Sequence, residues 1–172
     1  MKEILYKFAF ATLAVLAFSA SGQERAHVHG QGKLLISQQG KAWNLQFILP
    51  AKDVLGFEHE AETDEEKARL QQMVKKFSSN DSVVVLNAKC SVIATNHSLI
   101  EEHDEHQDAL AEEHEHHDIE VEYQFDCQSP VTQIAIKLFN TLDSLSQIEA
   151  QWITEQSQGM ARLTRSQPFV EW

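Results

Sequence analysis

Residues 90–136 contain no Lys or Arg, and within them residues 101–118 hold nine carboxylates and five His. A block of like charge repels itself and gains nothing from burial, so it reads as a solvated, disordered connector. A packed core must then be assembled from the two stretches on either side of it. The chain has 172 residues and is 42% hydrophobic, which is sufficient for one core or two small halves. The charge excess is general: 14 Lys and Arg face 26 Asp and Glu, giving −12. Without clustered cations the chain has no means of binding nucleic acid, and it is repelled by an anionic membrane surface. Such a polyanion attracts cations, and nine His indicate transition metals among them.

The N-terminus reads as an export signal over residues 1–21. Lys2 and Lys7 precede the uncharged run at residues 8–18, and Ser19, Ala20 and Ser21 make a plausible cleavage box. Eleven apolar residues fall short of the roughly 20 that a membrane span needs, so no membrane anchor is expected. No Cys stands near the cleavage box to carry a lipid, and the mature chain is expected to begin near residue 22 in an oxidising space. There the only two Cys, Cys90 and Cys127, most simply form a disulfide. A metal-bound thiolate pair or two buried thiols are the alternatives. The disulfide would staple two antiparallel strands in which paired residue numbers sum to 217, with His97 opposite Glu120.

The flanking stretches carry α+β patterns. Residues 33–37 and 43–49 flank Gln39 and Gly40 as a hairpin, with Trp43, Leu45, Phe47 and Leu49 on one face and Pro50 ending the strand. A helix is expected from about Asp64, capped by Thr63 and Glu66, with Leu70, Met73, Val74 and Phe77 forming its apolar stripe. Two strands, at residues 82–86 and 90–95, would complete a first half spanning residues 22–96. In the second half, residues 119–172, Ile119, Val121, Tyr123, Phe125 and Cys127 alternate with polar residues as a half-buried strand. Strands at 131–139, 148–155 and 160–165 follow, with a short helix at 142–145 and a turn at Gln158 and Gly159. Each half thus reads β-β-α-β-β, joined by a His-rich acidic loop at residues 97–118.

Imidazole nitrogen with carboxylate oxygen is the ligand set of borderline metals, zinc foremost. His103 and His106, and His114 and His117, are three apart, which would place each pair on one helical face. Flexible His tracts take up metal with variable stoichiometry, so these residues signal metal handling more than a defined site. His27 and His29 lie two apart, on one face of a strand, and Glu58 and His59 stand just before the capped helix. These two motifs look more like parts of an ordered site. The donor set does not separate zinc from nickel, copper or cobalt.

Several short motifs occur in a fixed order: Ala26 to Gly30 (Ala-His-Val-His-Gly), Leu55 to His59 (Leu-Gly-Phe-Glu-His), Ala88-Lys-Cys90, the insert ending in His117 and Asp118, Tyr123 to Cys127 (Tyr-Gln-Phe-Asp-Cys), Leu138-Phe139, and Gln158-Gly159. Together they resemble the ZrgA-like family of bacterial periplasmic zinc-binding proteins, over essentially the whole mature chain. The resemblance implies a two-part α/β sandwich with pseudo-symmetric halves, zinc held between them, a mobile His-rich loop, and association with an ABC-type zinc importer. His29 and the pair His117 and Asp118 would then occupy matching places before the first strand of each half, with His59 approaching from the loop. The expected zinc shell is His29, His59, His117 and Asp118, with His27 and Glu58 as alternates or as partners that orient the imidazoles. His97, His103, His106, His114 and His116 would take further ions. A monomeric, non-enzymatic zinc-binding protein is the leading reading. A metal-dependent hydrolase lacks its usual marker, since His59-Glu-Ala-Glu-Thr63 has no second His. An acidic module that binds a basic partner is the third class.

Overall fold

A computed structural model describes residues 28–99 and 118–172. The expected signal segment at residues 1–21 and most of the expected His-rich loop at residues 97–118 lie outside the described residues. Strands β1 (Gln31–Gln39) and β2 (Ala42–Pro50) form the expected hairpin. Gly40 opens its two-residue turn at φ +60°, the positive value that a type II′ turn requires there. Pro50 closes β2 and leads directly into helix α1 (Ala51–Leu55), which ends at Gly56 in the left-handed region, φ +92°. This five-residue helix was not legible in the sequence. Helix α2 (Asp64–Phe77) begins with the full capping box: Thr63 accepts from the Glu66 backbone, and Glu66 accepts from the Thr63 backbone. Met73 and Phe77 of the expected stripe are fully buried, whereas Leu70 and Val74 lie at its margin.

Strands β3 (Val84–Leu86), β4 (Cys90–His97), β5 (Asp118–Cys127), β6 (Gln133–Ile136), β7 (Gln147–Ile153), β8 (Gln158–Thr164) and β9 (Phe169–Glu171) complete the fold. Six strands form one sheet in the order β4-β5-β2-β1-β7-β8, and three form a second in the order β3-β6-β9. Only the β1–β7 pair is parallel among the described residues. Alternation accounts for the core. Trp43, Leu45, Phe47 and Leu49 of β2 meet Val121, Tyr123 and Phe125 of β5 on the buried face, together with Ile134, Ile136 and Val170 of the smaller sheet. The Tyr123 hydroxyl donates to the Phe77 carbonyl at 2.8 Å and ties β5 to the end of α2. Burial pushes that phenol's pKa well above its ordinary value.

Cys90 and Cys127 form the disulfide and sit opposite each other in the register. His97, however, faces Val121 and not Glu120, because a β-bulge between Val92 and Ala94 shifts the pairing by one residue. The second half departs further from its expected order. Residues 131–139 give only the short β6, followed by a 3-10 turn at Leu138–Asn140, and residues 142–145 form no helix. Leu138, Phe139, Leu142 and Leu145 are all buried, so this segment plugs the core as irregular chain. The β7–β8 turn is residues 154–157, where Thr154 Oγ1 accepts from Gln156 and Ser157 amides. Gly159 lies inside β8, because any Cβ there would overlap the Trp152 ring. The α+β class therefore holds. Strands from both sides of the acidic insert interleave in the large sheet.

Candidate metal site

β1 and β5 are both antiparallel to β2, so both enter the sheet at the same end, beside the Pro50 end of β2. Asp118 opens β5 directly opposite Pro50, and His29 stands two residues before β1. From Pro50 the chain runs through α1 to Gly56 in the left-handed region, and two residues on, Glu58 lies beside His29. His29 Nδ1 lies 3.6 Å from Glu58 Oε1, with the imidazole 56% exposed and the carboxylate 22%. Two donors on one tetrahedral zinc stand about 3.3 Å apart, given bond lengths near 2.0–2.1 Å. The pair is therefore spaced to share one ion after a shift of a few tenths of an ångström. None of His29, Glu58 and Asp118 is without an interaction partner.

His59 makes a second, separate pair. Its Nδ1 lies 2.8 Å from the Glu60 carbonyl, which only accepts, so Nδ1 carries the hydrogen. The other ring nitrogen, Nε2, then faces Glu66 Oε1 at 3.6 Å, and the ring stacks on Phe57 at 5.3 Å. A backbone carbonyl that fixes the tautomer is the usual support of a metal-binding imidazole. Glu66 is also the helix cap: its Oε2 accepts from the Thr63 and Glu62 amides at 2.9 and 3.0 Å. The Thr63 backbone hydrogen bond is the main cause that holds its carboxyl below the ordinary value of 4.5, with His59 adding a smaller pull.

The structure thus brings His29 to Glu58 and His59 to Glu66. Among the described residues, no three His, Cys, Asp or Glu side chains converge as a complete metal shell. His27, His103, His106, His114, His116 and His117 lie outside the described residues. His97, expected among the loop histidines, is the last residue of β4, half-buried with its ring 6.5 Å from that of Phe77. Glu66 was legible only as a cap. The stretch from Asp53 to Glu66 was the available signal, since it holds Asp53, Glu58, Glu60, Glu62, Asp64, Glu65 and Glu66 and no Lys or Arg.

His29 beside Glu58 and His59 beside Glu66 are nitrogen and oxygen donors of the kind borderline metals take. The family described as ZrgA family zinc uptake protein matches residues 26–172. The chain belongs to this family of zinc uptake proteins. No curated protein matches the chain. Among the described residues, no helix is long and apolar enough to cross a membrane.

Proposed function

We propose that this protein captures or buffers Zn2+ in the periplasm and supports its uptake through an ABC-type importer, acting as a monomer without catalysis of its own. Zinc is its cargo. The contact between His29 Nδ1 and Glu58 Oε1 carries this reading. It joins one nitrogen and one oxygen donor from distant parts of the chain at nearly the spacing one zinc requires. His29 and Glu58 begin the ordered shell, and Asp118 and His117 complete it from the start of β5. His59 joins by releasing Glu66, or holds an ion with it. Family membership supports zinc over copper or nickel, which the donor set alone does not separate. The export signal and the disulfide support an oxidising compartment. His103, His106, His114 and His116 would collect further ions for delivery to this shell.

Zinc that binds the folded state raises the melting temperature, and EDTA reverses the rise. His29→Ala or His59→Ala should remove most of that shift, since each deletes a donor held by the folded body. His103→Ala should barely change it, because neighbouring His can substitute. An unchanged zinc-induced shift in both His29→Ala and His59→Ala would rule out this shell.

A further inference from the structure

Asp53 is the one charged side chain that is buried among the described residues, at 5% exposure. No Lys, Arg or His of the described chain forms an ion pair with it. A buried carboxylate is costly unless hydrogen bonds offset the lost hydration. Its Oδ2 accepts the Gly30 N–H at 2.5 Å. That N–H belongs to the peptide that joins Gly30 to His29, so the carboxylate fixes the peptide plane from which the His29 side chain departs. The other side of Gly30 is held as firmly: its carbonyl accepts from the Ser146 amide, the Ser146 hydroxyl and the Gln147 amide at 2.9, 2.8 and 3.0 Å. Gly30 has φ +79°, and a Cβ there would press on Ser144 O and Ser146 Oγ at 3.2 Å each. Ser144 in turn donates to the Asp53 carbonyl at 3.2 Å. Asp53 also lies on α1, the helix whose end delivers Glu58.

We infer that Asp53 is a positioning residue for zinc: it sets the His29 backbone from the same helix that delivers Glu58, and so fixes the spacing of that pair. The inference rests on His29 being a zinc ligand. Asp53→Asn keeps an oxygen that can accept the Gly30 N–H but removes the charge, whereas Asp53→Ala removes both.

The test is isothermal calorimetry of zinc with the full chain, reading the tightest event, alongside the metal-free melting temperature. Asp53→Ala, which removes the acceptor, should weaken zinc about 10-fold, the effect expected on losing a group that orients a ligand. Asp53→Asn should weaken it less but measurably, because a neutral amide oxygen holds the Gly30 N–H less firmly than a carboxylate. In a His29→Ala background, adding Asp53→Asn should change the constant by less than about 2-fold, because the ligand it acts through is gone. Val170→Ala, in the smaller sheet, should lower the melting temperature and leave the zinc constant unchanged. If Asp53→Ala does not fold, Asp53→Asn carries the test. Two results would overturn the inference: Asp53→Asn leaving the constant unchanged, or costing as much with His29→Ala as without. If His29→Ala itself leaves zinc binding intact, the proposed shell fails with it, and that outcome is distinguishable from the other two.

Discussion

At the scale of single residues, the candidate donors were legible and their partners were not. His29, Glu58 and His59 stand out as short motifs, because imidazole and carboxylate are uncommon neighbours in a packed fold. His29 meets Glu58 just beyond α1, whose five residues carry no periodic signal, and the buried Asp53 that accepts the neighbouring Gly30 N–H looks like any other acid in sequence. Glu66 serves two purposes, as cap to α2 and as neighbour to His59, and only the first has a sequence signature. Its lowered pKa has a consequence for stability. The folded state favours the ionised carboxylate, so the stabilisation is fully present above about pH 4.5 and is lost as pH falls through the lower folded value. Urea unfolding in EDTA between pH 6 and pH 3 should show this loss in the native chain, and a flatter acidic limb in Glu66→Gln. Equal slopes in the two proteins would remove Glu66 from the account.

Elements with a strong local code were read correctly, while those set by packing were not. The alternation in β2 and β5 follows from a sheet with one buried face, and the Thr63 and Glu66 capping box fixed the start of α2 to the residue. Gly159 misled because glycine after a polar residue usually marks a turn, whereas here it clears space for the Trp152 ring. Local pattern cannot distinguish a glycine needed for its φ from one needed for its missing Cβ. The two uses separate experimentally. Gly159→Ala should destabilise the fold by roughly 1–3 kcal/mol through overpacking against Trp152, measured by urea unfolding. A loss under about 0.5 kcal/mol would mean that the indole moves aside freely. The bulge in β4 is a similar case: one extra residue at Ile93 leaves no compositional trace but moves His97 from Glu120 to Val121.

At the scale of the whole molecule, the acidic insert separates two stretches in sequence that the sheet then interleaves. β1 and β2 lie between β5 and β7, an order decided by long-range contacts that no local pattern encodes. This interleaving also places the starts of β1 and β5, from before and after the insert, at one sheet end. The insert itself leaves and re-enters the fold beside that end. Ser98 is tied back, donating its amide to Glu120 O and accepting the Glu120 amide at its hydroxyl, both at 3.0 Å, and Leu99 packs on the core. A replacement that spares the fold should therefore begin at residue 100. Loop length enters closure entropy only logarithmically, so exchanging residues 100–113 for a short Gly/Ser linker should cost little in folding. The central claim is that the folded body, and not the His-rich insert, holds the tight zinc. Calorimetric titration of that linker variant tests it most directly. One tight zinc event should persist with the weaker events reduced, since His103 and His106 are removed, whereas loss of the tight event with the insert would contradict the claim.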